Sequence, residues 1–158
     1  MITAVLGAPG SGKTAAAGPL AALLPGHAVL DWDALMEPAA ALARRPIRQS
    51  PSTWPAYREL VRAVISILAP RPVVLLGVCT PSELRGWPIS AWVHLDCADQ
   101  ERRQRLDSDG RPGDIDGAIT DARLYRALGL SVIDTTSRTP SQVAAAIALF
   151  VGSAGPTD

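Results

Sequence analysis

Short apolar runs alternate with longer amphipathic or charged segments along most of the chain. The apolar runs predict strands at residues 2–7, 27–31, 72–78, 89–96 and 130–135. The segments between them predict helices at residues 13–24, 33–44, 53–69 and 114–129, a short helix after Thr80, a charged helix from residue 99 and a last helix at 140–151. Apolar strands that alternate with helices predict an α/β domain with a mostly parallel sheet covered by helices on both faces.

Several residues predict where helices start or break. Pro19, with Gly18 before it, should kink or shorten the first helix. Ser52 or Thr53 is a candidate cap for the third helix. The sequences TPSE (80–83) and TPSQ (139–142) resemble capping boxes with proline at the first helical position, and each predicts a helix start.

Length and charge indicate one domain without a large charged surface. The chain has 158 residues, is 47% hydrophobic, and carries 15 basic and 15 acidic residues. We expect a single domain over residues 1–151, with a flexible tail at 152–158. A net charge of zero argues against nucleic-acid or anionic-membrane binding, so any phosphate must be bound locally.

The cysteines and the longest apolar stretch indicate the cellular compartment of the protein. Cys79 and Cys97 have no metal-binding spacing, and we expect both to be buried residues of a reducing compartment. The stretch at residues 64–79 is interrupted by Pro70, Arg71 and Pro72, and no basic segment begins the chain. We therefore expect a cytoplasmic protein, a monomer or homodimer, without a membrane span.

The sequence GAPGSGKT at residues 7–14 matches the phosphate-binding pattern GxxxxGK[ST]. It falls between the first predicted strand and the first predicted helix, where its N–H groups and the helix start can face phosphate. The predicted nucleotide contacts are Gly7, Ala8, Pro9, Gly10, Ser11, Gly12, Lys13 and Thr14. The pattern places the ammonium of Lys13 at the β and γ phosphates and the hydroxyl of Thr14 on Mg²⁺.

Lys13 is the single lysine of a chain that uses arginine at its other basic positions. The wide planar fork of arginine cannot replace a compact ammonium enclosed by this loop. The composition therefore supports the phosphate-loop interpretation.

The rest of the chain resembles one group of phosphate-loop proteins. It has neither an NKxD motif, as a GTPase would, nor a third strand ending in Asp-Glu, as an AAA-type ATPase would. VLDWDAL (29–35), RRQRL (102–106) and VIDTTSRTP (132–140) instead resemble segments of the P-loop kinases, which include nucleoside monophosphate, shikimate and gluconate kinases. The resemblance implies a three-layer P-loop NTPase fold, a sheet ordered 2-3-1-4-5, a short lid near residues 99–113, and ATP and Mg²⁺ as cofactors.

Asp31 and Asp33 form a D-x-D pair after the second strand, at the carboxyl edge where ligands of parallel sheets bind. By resemblance, Asp31 holds the metal or its water, and Asp33 orients the acceptor hydroxyl or takes its proton. The alternative is that Asp33 only caps the following helix.

By resemblance, the RRQRLDSDGRP segment is the lid, with Arg102, Arg105 and Arg111 as candidates to contact the transferring phosphate. Asp109 stands where related lids carry another arginine. Arg123 and Arg126 are alternative phosphate contacts, and a solvated surface role remains an alternative for each lid arginine. In this resemblance Thr136 and Arg138, in the loop 135–138, border the adenine.

Residues 33–65 are expected to hold the acceptor. Arg48, Arg58 and Arg62 could grip an acceptor phosphate or carboxylate, and we select Arg58 and Arg62 with Asp33. Alternatively, Trp54 and Tyr57 line an apolar pocket or pack in the core.

These features predict an ATP- and Mg²⁺-dependent phosphotransferase with Lys13, Asp33, Arg105 and Arg111 as catalytic residues. The predicted acceptor is the hydroxyl of a nucleoside or another small alcohol. A nucleoside monophosphate is the alternative acceptor, and a nucleotide-binding switch or weak ATPase is an alternative of another class.

Overall fold

The computed structural model describes residues 1–153, which form five strands and six helices. The strands are β1 (Ile2–Leu6), β2 (Ala28–Asp31), β3 (Val73–Gly77), β4 (Ile89–Asp96) and β5 (Ser131–Asp134). The helices are α1 (Lys13–Leu23), α2 (Met36–Ala43), α3 (Trp54–Leu68), α4 (Asp99–Ser108), α5 (Ile115–Arg126) and α6 (Pro140–Ser153). The five predicted strands are thus confirmed, as are six of the seven predicted helices.

The strands form one parallel sheet in the order β2-β3-β1-β4-β5. The predicted order is confirmed. Asp31 pairs in register with Leu76 of β3, and Leu6 of β1 pairs with Gly77. The carboxyl ends of the three strands β2, β3 and β1 therefore meet at one edge, where the loop after β1 begins.

Apolar residues of the sheet point alternately into two cores, as expected for a parallel sheet covered on both faces. Val5 packs in one core with Leu20 of α1 and Ile147 of α6. Its neighbour Leu6 packs in the other with Val61 of α3. This arrangement is the predicted three-layer fold, with α1 and α6 on one face and α2, α3 and α5 on the other.

Two local predictions were wrong. No helix follows Thr80: Glu83 Oε2 accepts from Thr80 N at 2.7 Å as a capping box requires, but only successive turns lead to Gly86, which has a φ of 82°. The side chain of Thr53 does not cap α3, because its hydroxyl donates to Ile47 O and Ser50 O. Pro19 lies inside α1, which nevertheless extends to Leu23.

The last helix, α6, begins at its predicted capping box. Gln142 N donates to Thr139 Oγ1, and Thr139 N donates to Gln142 Oε1. α6 continues through Gly152 and Ser153, the first two residues of the predicted tail, and the remainder of that tail lies outside the described residues. Within residues 1–153, no helix combines the length and apolarity needed to cross a membrane.

Candidate active site

The phosphate-loop sequence forms the turn that joins β1 to α1. Gly12 directly precedes α1 with a φ of 90°, and Gly10 has a φ of 76°. Side chains disfavour these left-handed conformations, so glycine at both positions lets the loop curl over the start of the helix. A loop of this kind followed by a helix N-terminus is suited to binding phosphate.

The ammonium group of Lys13 is enclosed by its own loop. Its Nζ donates to Gly7 O at 2.6 Å, to Ala8 O at 3.0 Å and to Ser11 Oγ at 3.2 Å. Burial lowers the pKa of Lys13 to about 8, although the nearby charges of Asp33 and Asp31 oppose this shift. All three ammonium protons thus have acceptors within a space that a guanidinium would overfill.

Thr14 and Asp31 form a pair of oxygen ligands beside the loop. Thr14 Oγ1 donates to Asp31 Oδ2 at 2.9 Å, and Asp31 Oδ1 accepts from Asp33 N at 3.0 Å. Mg²⁺ in nucleotide sites commonly takes one or two protein oxygens, with waters and phosphates completing its shell. The described residues contain no group of three or more His, Cys, Asp or Glu that could hold a metal alone. The pair therefore fits an ion that is shared with a nucleotide.

Asp33 lies in the 3₁₀ turn Trp32–Leu35 that follows β2. The cap of this turn is Asp31, and α2 begins only at Met36, so the interpretation of Asp33 as a helix cap was wrong. Asp33 Oδ2 accepts from Arg48 Nη2 at 2.8 Å. Its Oδ1 is buried and has no hydrogen-bond partner among the described residues. Oδ2 is therefore the oxygen through which Asp33 can act.

A cavity of about 600 Å³ joins these groups, a volume typical of small-molecule sites. Its walls come from the phosphate loop, the ends of β2 and β3, one face of α4 and the start of α6. The lining residues include Pro9, Gly10, Gly12, Lys13, Thr14, Asp31, Asp33, Arg48, Gly77, Val78, Glu101, Arg105, Asp109, Arg111 and Arg138.

Arg102 does not act as a lid residue. It is fully buried, donates to Pro9 O in the phosphate loop, and pairs with Asp96 Oδ1 at 2.7 Å. The other oxygen of Asp96 pairs with Arg126 Nε at 2.6 Å, and Arg126 also pairs with Asp99 at 2.9 Å. These ion pairs tie α4 and α5 to the phosphate loop. Arg102 is buried, and Arg126 does not line the cavity.

The role of Asp96 was not predicted from the sequence. An acidic residue that ends a strand just before an arginine-rich helix was the available indication, but its partners lie 6 and 30 residues away. The structure alone shows that it is shared by two arginines.

Replacing Asp96 with alanine should lower the free energy of unfolding by about 3–5 kcal/mol, because it leaves the buried guanidinium of Arg102 without a counter-charge. Urea denaturation followed by circular dichroism measures this. The control is Asp116→Ala, which removes a partner that is 98% exposed and 3.8 Å from Arg103, and should cost less than about 0.5 kcal/mol. Equal losses of unfolding free energy in the two variants would contradict the role of Asp96 as the counter-charge of Arg102.

Arg105 and Arg111 do line the cavity, where the sequence predicted them. Arg105 pairs with Glu101 at 2.8 Å and donates to Thr135 O at 2.6 Å and Gly10 O at 3.3 Å. Arg111 pairs with Asp114 at 2.7 Å. Their catalytic role stays a prediction.

The loop predicted to border the adenine touches the cavity through Arg138. Thr135 is buried and its Oγ1 lies 3.0 Å from Ser11 O, so this loop is joined to the phosphate loop. The hydroxyl of Thr136 is engaged elsewhere, with Asp134 Oδ1 at 2.6 Å and Ala98 N at 2.9 Å. The backbone N–H of Thr136 also donates to Asp134 Oδ1, at 2.9 Å, and Thr136 does not line the cavity, so its predicted contact with the nucleotide is not supported.

Arg58 and Arg62 do not line the cavity. Arg58 Nη1 donates to Glu83 O at 3.2 Å, and Arg62 lies 3.8 Å from Glu59 on the same helix. The structure therefore gives no support to the substrate-binding role predicted for them. Arg48, on the loop between α2 and α3, does line the cavity.

The aromatic residues of this region pack in the core. Tyr57 is buried, donates its hydroxyl to Trp32 O, and meets the Trp32 ring edge-on at 5.5 Å. Trp54 packs against Tyr57 with a centroid distance of 6.2 Å. The sequence left open whether Trp54 and Tyr57 line an apolar pocket or pack in the core. The contacts of Tyr57 support core packing.

The sheet order, the phosphate loop after β1 and the carboxylates after β2 define a P-loop NTPase fold of the form found in shikimate and gluconate kinases. The resemblance seen in the sequence is thus confirmed at the level of the fold. No family model matches the sequence, and no curated protein matches it significantly.

Solved structures align over nearly the whole chain. The tunicamycin resistance protein of Deinococcus radiodurans is 23% identical, with 96% of this chain and 95% of that chain covered and a TM-score of 0.71. Shikimate kinase from Acinetobacter baumannii, in complex with shikimate, is 20% identical, with coverages of 96% and 93% and a TM-score of 0.64. A gluconokinase from Sinorhizobium meliloti is 15% identical, with coverages of 98% and 97% and a TM-score of 0.61.

Proposed function

We propose that the protein transfers the γ-phosphoryl group of Mg·ATP to the hydroxyl of a small molecule. The observation that carries this proposal is one cavity lined at once by the phosphate-loop Lys13, by the Thr14 and Asp31 oxygens and by the carboxylate of Asp33. The fold shared with small-molecule kinases supports it. A site for binding nucleotide alone would not need a second carboxylate facing the phosphates.

The phosphate loop and Lys13 form the donor end of the cavity. The loop and the start of α1 bind the phosphate oxygens, and Lys13 exchanges its loop acceptors for the β and γ phosphates. Thr14 and Asp31 would hold Mg²⁺, which neutralises phosphate charge when bound.

Asp33 forms the acceptor end. Its Oδ2 accepts a hydrogen bond from the acceptor hydroxyl and so orients the oxygen toward the γ phosphorus. The new P–O bond forms as the bond between the γ phosphorus and the β–γ bridging oxygen breaks. The hydroxyl proton passes to Asp33 Oδ2 late in the transfer, and ADP leaves with the bridging electrons.

Acceptor-stimulated release of ADP tests this function. The purified protein is assayed with Mg·ATP against a library of small alcohols, nucleosides and nucleoside monophosphates, and product is identified as a phosphorylated acceptor by mass spectrometry. We expect stimulation by at least one class of acceptor, together with its phosphorylated product. Nucleotide binding without stimulation by any member of the library would favour a binding module and contradict the proposal.

A further inference from the structure

The phosphate loop has two backbone N–H groups that are free to bind a ligand. Gly10 and Gly12 both line the cavity. Within residues 1–153, the N–H of neither glycine donates a hydrogen bond to another protein group. The N–H of Ser11, which lies between them, instead donates to Ala8 O at 3.2 Å. The loop can therefore offer the N–H groups of Gly10 and Gly12 to phosphate oxygens, and the orientation of these two peptide groups determines how well it binds them.

The peptide group that contains the Gly12 N–H is held by Thr135, on the loop after β5. Ser11 O, in the same peptide group, accepts from Thr135 Oγ1 at 3.0 Å, and Ser11 and Thr135 are both fully buried. A trans peptide group is planar, and its C=O and N–H point in opposite directions. By holding the carbonyl of Ser11, Thr135 therefore directs the N–H of Gly12 away from itself.

The hydroxyl proton of Thr135 is needed by Ser11 O. Asp96 O also lies 3.0 Å from Thr135 Oγ1, but it already accepts from Thr135 N at 2.7 Å. Ser11 O has no other donor among the residues that the structure describes, and buried carbonyls are nearly always paired. Arg105 Nη1 donates to the same hydroxyl oxygen at 3.2 Å, which leaves the proton of the hydroxyl for Ser11 O.

The neighbouring peptide group of the loop is held in the same way. Pro9 O accepts from Arg102 Nη1, and Arg102 is fully buried. The N–H of this peptide group is that of Gly10. Both free N–H groups of the loop thus belong to peptide groups whose carbonyls are bound by buried side chains of other segments, Arg102 of α4 and Thr135 after β5.

We propose that Thr135 is a positioning residue for the nucleotide, which acts through Ser11 O to direct the N–H of Gly12 at a phosphate oxygen. Thr135 is buried and does not line the cavity, so it does not touch the nucleotide itself. Its effect depends on geometry, because a donor binds phosphate well only when its N–H is aligned with the oxygen. The inference rests on the nucleotide binding of the proposed function and is independent of the identity of the acceptor.

Replacing Thr135 with valine, which has a similar shape but no hydroxyl, tests this role. The Kd for Mg·ADP, measured by isothermal titration calorimetry, should rise about tenfold, as expected for the loss of one well-aligned hydrogen bond to a charged group. Thr135→Ser keeps the hydroxyl and should bind Mg·ADP as the wild type does. The matched control is Thr53→Val, since the Thr53 hydroxyl also donates to backbone carbonyls, those of Ile47 and Ser50, but Thr53 does not line the cavity. This control should leave the Kd unchanged, and circular dichroism shows whether each variant is folded.

The amide resonances of the two glycines provide a second measurement by nuclear magnetic resonance. In the wild type, Mg·ADP should shift the amide resonances of both Gly10 and Gly12, because both N–H groups bind phosphate. In Thr135→Val the response of Gly12 should be reduced, whereas that of Gly10 should remain, because Arg102 still holds Pro9 O. A purely structural role of Thr135 would not separate the two glycines.

The outcomes distinguish the inference from the function on which it rests. Wild-type affinity for Mg·ADP in a folded Thr135→Val overturns the positioning role. A Gly12 amide that does not respond to Mg·ADP in the wild type overturns it as well, even where Thr135→Val does not fold. Failure of the wild type to bind Mg·ADP overturns both the inference and the proposed function. The expected binding results without phosphoryl transfer to any acceptor support the inference and overturn the proposed function alone.

Discussion

Replacing Lys13 with alanine should lower phosphoryl transfer by about 1,000-fold or more, because it removes the one ammonium placed to neutralise charge on the transferring group. The alanine also leaves Gly7 O and Ala8 O without the donors that they have in the wild type. The measurement is acceptor-stimulated ADP release at saturating ATP, with circular dichroism to show that the variant is folded.

Lys13→Arg is the matched control for charge. It keeps the positive charge but brings a guanidinium that the loop cannot enclose, so it should rescue little of the activity. More than about 1% of wild-type activity in Lys13→Ala would contradict the assigned role, since electrostatic stabilisers of this kind are worth at least about 100-fold. Full activity in Lys13→Arg would show that charge alone, without the compact shape, is sufficient.

Replacing Asp33 with asparagine should reduce kcat by about 100- to 10,000-fold while changing the KM for ATP by less than about threefold. Asparagine keeps the size of the side chain but cannot take the acceptor proton, and it removes the counter-charge of Arg48. Steady-state kinetics with ATP and the acceptor varied in turn separate these effects. The KM for ATP should change little, because Lys13, Thr14 and Asp31, which would contact the nucleotide and its metal, remain in place.

The control for this variant is Asp116→Asn, a carboxylate on α5 that is 98% exposed and does not line the cavity. It should leave kcat and both KM values unchanged. A wild-type kcat in Asp33→Asn would show that Asp33 has only a structural role, whereas a raised KM for ATP at constant kcat would place it at the nucleotide instead.

Features that depend on residues near one another in sequence were predictable. The strands β1 and β3 are short apolar runs that are buried along their whole length, as expected for central strands of a parallel sheet covered on both faces. The phosphate loop is recognisable because glycines, the lysine and the threonine occur within eight residues and fold by local backbone geometry. The two aspartates after β2 followed from the rule that ligands bind at the carboxyl ends of parallel strands.

The wrong predictions also have local causes. The capping box at Thr80 formed its hydrogen bond but started no helix, since Gly86 with a positive φ ends the turns within a few residues. A capping box specifies only a first turn, and the residues beyond that turn decide whether the helix continues. Thr53 lost its capping role because carbonyls of the preceding loop compete for its hydroxyl.

The assignment of individual arginines was decided by the tertiary structure. The sequence by itself determined the α/β class and the phosphate loop, because these depend on local pattern, whereas the sheet order and the arginines near the site were implied by the resemblance to P-loop kinases. It did not show that Arg102 is buried against Asp96, that Arg58 and Arg62 do not line the cavity, or that Arg48 pairs with Asp33. A long charged side chain pairs with a carboxylate or carbonyl that is close in space. The tertiary structure determines which group lies close enough to be that partner.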